Sequence, residues 1–229
     1  MRSMVRTAAL STVFVAVLTA CGGAVNTAGA GDGGSGRQGG GTGAGQERKA
    51  PATLTTTQMQ TALAGEDGIP DGWGGRGTDL YEGTEAVEHC GSDAGTGCAG
   101  LTAMAMRTLE NQTLEELQAG IDGQSMYLKL YSFDTVENAV VTAEAIAAAE
   151  REEAGESDPL DITTAAEYTD AFSEELGPDE YSATVVMRTG AVVITVWGMD
   201  LESTNDMQPI AKGRVDRVLK VAAGRNPDA

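Results

Sequence analysis

Reactive side chains are few in this sequence: three cysteines (Cys21, Cys90 and Cys98) and a single histidine, His89. Nucleophilic catalysis needs a nucleophile, a base and a group that orients the base. His89 sits beside Cys90, and neither a Gly-x-Ser-x-Gly elbow nor a Ser-x-x-Lys pair occurs anywhere. It reads as a surface histidine. Cys90 and Cys98 bracket a Gly-rich stretch that can turn back on itself, and an even pair in an oxidising compartment reads as a disulfide. The alternative is a metal pair completed by His89, but zinc requires three or four ligands. Carboxylates cluster at Glu174, Glu175, Asp179 and Glu180 around Gly177-Pro178. They lack calcium-loop spacing and read as a solvated acidic turn. Gly72-Trp73-Gly74-Gly75-Arg76-Gly77 is rich in glycine but is no P-loop, and reads as a flexible loop. Trp73 and Trp197 read as core residues, with Trp197 packed on a helix. No catalytic set or metal set emerges, and nothing calls for a cofactor.

Cys21 has a different setting. Arg2 and Arg6 precede an apolar run over residues 8–17, and a small residue, Ala20, stands before the cysteine. This is the layout of a secretory signal peptide over 1–20, too short for a good membrane-spanning helix. Leu18-Thr19-Ala20-Cys21 resembles the bacterial lipobox. The resemblance implies cleavage before Cys21 and diacylation of its thiol, which would anchor the chain on the extracytoplasmic face of the cell membrane. With Cys21 carrying lipid, Cys90 and Cys98 are left as a pair.

Twelve of the 29 residues in 22–50 are glycine. Without a periodic apolar pattern this block cannot build a core, and it reads as a tether with an r.m.s. span of roughly 30 Å. Residues 51–229 then suit one domain. They carry 32 acidic and 10 basic residues, a net charge of −22. Such a surface repels nucleic acid and anionic lipid head groups alike. It reads first as a solubility device and second as an attraction for cations or a basic partner.

The elements that would hold any site follow from periodicity. Thr55 and Gln58 match a capping box, with Leu54 and Met59 as a staple, so a helix is predicted from Thr55 to Ala64. Residues 74–100 read as irregular. Alternation predicts strands over 101–109 and 126–132, with a short helical turn over 113–119 between them. Asp134 is the expected cap of an amphipathic helix with Val136, Ala139, Val140, Ala143, Ile146 and Ala147 on one face. A strand is expected over 166–173. A hairpin follows, over 181–188 and 191–197, turning at Thr189-Gly190. Its second strand is almost wholly apolar and therefore central. The last helix is expected over 205–223, with Arg214, Arg217, Lys220 and Arg225 favourably placed for its own dipole. The fold class is α+β: an antiparallel sheet covered by amphipathic helices.

Several of these stretches together resemble a family of actinobacterial lipoproteins and kinase extracellular sensor domains with a PsbP-like α+β sandwich. The matching pieces are the first helix running into Ile69-Pro70-Asp71-Gly72-Trp73, the strand into Ser132-Phe133-Asp134 with its Ala-rich helix, Met187-Arg188-Thr189-Gly190-Ala191-Val192-Val193, and the closing helix. The resemblance implies a sensor or ligand-binding role without a shared catalytic set. The expected function is thus a membrane-anchored, non-catalytic ligand-binding or sensor-like domain, whose partners are the membrane through Cys21 and a small molecule or envelope protein. The alternatives are an accessory subunit of an envelope complex, and an envelope hydrolase using carboxylates that the sequence does not single out.

Overall fold

Alternating side chains along five long segments decide the architecture. In the computed structural model, which describes residues 53–95, 97–111, 118 and 123–229, they pair into one antiparallel sheet. Its strands are β1 (Gly74–Glu82), β2 (Leu101–Asn111), β3 (Gln124–Phe133), β4 (Asp158–Pro159), β5 (Tyr168–Gly177), β6 (Glu180–Thr189) and β7 (Val192–Leu201), in the spatial order β1-β2-β3-β7-β6-β5-β4. β7 is central, as its apolar run requires. The turn into it is Gly190-Ala191, one residue later than expected, because Thr189 pairs with Val192. Gly190 takes the positive φ (57°) that an L side chain resists and a tight hairpin needs. The signal peptide, Cys21, the tether and almost all of the 113–119 turn lie outside the described residues.

Helices cover both faces. α1 (Thr56–Ala64) and α4 (Met207–Ala222) pack on one, against Ala105, Leu109, Leu128, Leu130, Val185, Ile194 and Val196. On the other, α2 (Gly83–Ala94) and α3 (Val136–Ala154) pack against Met104, Tyr131, Val186 and Val193. The capping box of α1 is formed as expected. At α3 the cap is Thr135, whose side chain accepts from the Asn138 amide, while Asp134 accepts from the Asn138 side chain instead.

The region 74–100 is ordered, against expectation. β1 is an edge strand whose residues are nearly all exposed, so no apolar alternation marks it, and backbone pairing to β2 holds it. In α2, Ala86, Cys90 and Ala94 recur at four-residue spacing and are buried. Gly83 and Gly91 mask that stripe by lowering helix propensity. Cys90 and Cys98 are bonded, tying the end of α2 to the start of β2. Replacing both by serine is expected to lower stability by about 2.5 kcal/mol in the chain-entropy account of so short a loop. Urea unfolding of the variant, beside the wild type with and without reductant, measures this.

Arg214 and Arg217 do not serve their own helix end. Both are fully buried and turn towards the C-terminal carbonyls of α1. Arg214 donates to the carbonyl oxygens of Leu63 (3.0 Å), Gly65 (2.9 Å) and Asp67 (2.7 Å). Arg217 donates to those of Ala62 (3.1 Å) and Thr61 (2.9 Å), and to Asp67 and Asp228 carboxylates. Arg107 of β2 joins them on Leu63 and Gly65 and pairs with Glu66. α1 has no basic residue in its last turn, so these guanidiniums supply both the missing donors and the positive charge its C-terminus favours. Close approach explains two glycines: a Cβ on Gly65 would lie 1.9 Å from the Arg217 guanidinium, and one on Gly75 equally near that of Arg107.

Candidate functional site

A helix rises about 1.5 Å per residue and a strand about 3.3 Å. α2, with 12 residues, therefore covers only about half the length of the 11-residue β2 beneath it. Beyond its end and beside the last turn of α3, the sheet is left open. The result is a cleft of about 410 Å³, within the size range of small-molecule sites.

Alternation places its floor. On β3 the face opposite Leu128 and Leu130 carries Tyr127, Lys129 and Tyr131. On β7 the same face carries Thr195, Trp197 and Met199, and Tyr127 pairs with Trp197 across the strands. Their rings stack with centroids 5.1 Å apart. β6 adds Ser182 and Thr184, and β5 adds Glu174 and Leu176. The walls are Ser92 and Asp93 at the end of α2 and Ala149, Glu150, Glu153 and Ala154 at the end of α3.

One charged pair is satisfied internally. Asp93 accepts from Lys129 Nζ through one oxygen and from the Tyr131 hydroxyl through the other, both at 2.6 Å. Burial, then the Asp93 charge, pushes the Tyr131 hydroxyl well above the ordinary phenol range, so it keeps its proton and remains a donor. Glu150 differs. Burial raises its carboxyl above the ordinary range; Lys129 pulls it down, while Asp93 and Glu153 push it further up. Among the described residues Glu150, Glu153 and Glu174 form no ion pair.

No family model and no curated protein matches the sequence. Among solved structures, the chain is similar to the extracellular domain of PknH from Mycobacterium tuberculosis. The identity is 10%, the TM-score 0.45, and the match covers 76% of this chain and 93% of that one. A likeness of that size transfers neither ligand nor role.

The residues singled out by sequence are scattered. Trp197 lines the cleft and stacks on Tyr127, where a helix contact was expected, because both helices end short of it. Trp73 is in the core and donates to Asp206 (3.0 Å). Glu174 reaches the cleft, but Glu175 follows it on the strand and faces the other way, and Asp179 and Glu180 are exposed at the hairpin. The acidic turn is thus mostly strand, and among the described residues no group of three potential metal ligands converges. His89 is exposed and lies against the Tyr81 ring, 4.1 Å between centroids. The glycines of 74–77 belong to β1. Asp93, Lys129 and Glu150 carried no motif. Their one signal was Lys129 and its flanking tyrosines on the polar face of an otherwise apolar strand.

A pH effect follows from Glu150. Its folded carboxyl holds a proton at pH values where the unfolded chain has lost it. Stability therefore falls as pH rises from the ordinary carboxylate range through the raised value. Glu150→Gln is expected to raise the thermal midpoint at pH 7 and to leave it unchanged near pH 4. Calorimetry at the two pH values measures the difference.

Proposed function

We propose that this chain is a lipid-anchored extracytoplasmic protein that binds a small ligand in the cleft over Lys129 and Trp197, in a sensor-like and non-catalytic role. One observation carries the reading: a 410 Å³ concavity combines a partly exposed tryptophan, the apolar side chains of Leu176 and Met199, and charged groups on its floor and walls. Binding sites are built from such mixtures. The compartment is supported by the paired Cys90 and Cys98 and by the lipobox-like Leu18-Thr19-Ala20-Cys21. No described helix is long and apolar enough to cross a membrane. A thermal-shift screen of the full chain against metabolites, glycans and lipids, repeated on Ser182→Trp to fill the cleft, tests the reading. Hits that Ser182→Trp abolishes support it. If every hit survives the filled cleft, or no compound shifts the midpoint, the cleft is not a ligand site.

A second reading has one observation behind it. A carboxyl raised by burial and by neighbouring carboxylates, as at Glu150, is also the property of a general acid in glycan hydrolysis. Glu150 and Glu153 stand side by side on one helix face rather than across a bond to be cleaved, which favours binding. Turnover of a peptidoglycan substrate, lost in Glu150→Gln, would reverse that preference.

A further inference from the structure

The charge inside the cleft defines what it can accept. Its lining holds one cation, Lys129, and four carboxylates: Asp93, Glu150, Glu153 and Glu174. Lys129 is consumed by Asp93 at 2.6 Å, which leaves an excess of three negative charges in a partly enclosed space. An anionic ligand would be repelled. A neutral one would strip water from these carboxylates and return no opposite charge, which is costly. We infer that the cleft takes a small organic cation, an amine or quaternary ammonium on a short apolar body. Its charge is met by Glu150, Glu153 and Glu174, and its body lies on Trp197 between Leu176 and Met199.

This inference rests on the cleft being the ligand site and names the class of ligand. Exposed carboxylates alone would gather only a counter-ion atmosphere, and the rest of this acidic surface does that. Two features separate the cleft from it. Trp197 is fixed by its stack on Tyr127, so an aromatic surface is already in place beside the carboxylates. Ammonium ions are held over aromatic rings by the ring quadrupole, tryptophan giving the strongest attraction. Glu150 is also kept in the protein at a cost: burial and two neighbouring carboxylates act against its charge and outweigh the pull of Lys129. A bound cation removes that cost. Apolar floor residues exclude a hydrated metal ion as the natural occupant, because hard cations take oxygen ligands all round.

The test uses the full chain in detergent and isothermal titration with three probes: benzyltrimethylammonium, spermidine, and neutral benzyl alcohol as the uncharged counterpart. Both cations are expected to bind and benzyl alcohol is not. Glu150→Gln and Glu174→Gln should each weaken binding about tenfold or more, the loss of one charge-assisted contact. Trp197→Leu should weaken benzyltrimethylammonium more than spermidine. Glu152→Gln and Glu88→Gln remove equal charge from exposed positions outside the cleft and should change affinity less than twofold. Equal weakening by all four carboxylate variants would mean surface screening and would overturn the inference. Benzyl alcohol binding as tightly as its cation, lost in Ser182→Trp, would also overturn it while leaving the cleft as a ligand site. Absence of cation binding together with no cleft-dependent hit in the wider screen would remove both readings.

Discussion

Arg214→Met is expected to lower the unfolding free energy by about 2 kcal/mol, the balance of two opposed effects. Removing the guanidinium takes away the Asp67 carbonyl's side-chain donor and leaves those of Leu63 and Gly65 to Arg107 alone, and an unsatisfied acceptor costs about 1–3 kcal/mol. Against this, the wild-type protein holds that charge unwillingly. Burial first, then Arg217 and Arg107, lower its pKa to about 10. Methionine ends that penalty while roughly keeping volume. The lost donors win because three carbonyls are weakened at once and Arg107 reaches only those of Leu63 and Gly65. The pH dependence has a definite sign. Between about 10 and the ordinary guanidinium range the unfolded chain keeps the proton that folded Arg214 has shed. Its contribution to stability therefore rises with pH across that window and is smallest below it. Lys212→Met, on the exposed side of the same helix, should stay within about 0.5 kcal/mol of wild type. Urea midpoints of the two variants decide the matter; near-equal values would mean that the carbonyls find water instead.

Legibility in the sequence tracked the apolar pattern. β3 and β7 alternate or run apolar over most of their length, so their faces and the central place of β7 could be read directly. The cap at Thr55 was readable because a capping box involves only neighbours in the chain. β1 and α2 were hidden, since an exposed edge strand shows no alternation and α2 buries just three small residues, Ala86, Cys90 and Ala94. The arginines were misread for a related reason. Dipole arguments within one helix are local, whereas Arg214 reaches residues about 150 positions earlier in the chain. The cleft was illegible because it is made by what is missing: α2 stops half-way along the sheet. Nothing local says that Asp93, Lys129 and Glu150 meet.

That cleft also carries a tension. Three unpaired carboxylates beside a buried Tyr131 and an occupied Lys129 make poor stability physics. A neutral side chain at Glu150 would serve folding better at neutral pH. Proteins keep destabilising groups most often where they bind or react. Glu150→Gln should therefore move two observables in opposite directions, raising the midpoint and weakening cation binding. A merely structural residue would not couple the two.

Cys21→Ser is expected to move the protein from the membrane to the aqueous fraction outright. On the lipoprotein reading, Cys21 carries two acyl chains, each buried methylene contributing about 0.8 kcal/mol, so the anchor holds firmly where a single chain would be marginal. Among the described residues no helix is long and apolar enough to cross a membrane. Residues 51–229 carry a net charge of −22, and an anionic leaflet repels that surface within about a Debye length of 8 Å. A basic patch would give residual, salt-sensitive binding; an acidic one gives none. The wild-type protein should resist extraction by high salt and take up a clickable fatty acid, whereas Cys21→Ser should do neither and Cys90→Ser should keep the label. Equal label on wild type and Cys21→Ser, or membrane retention of an unlabelled variant that lacks residues 1–20, would refute the anchor. On that reading the steepness of the outcome comes from the charge: with the domain repelled, one thioether would decide the location of the whole protein.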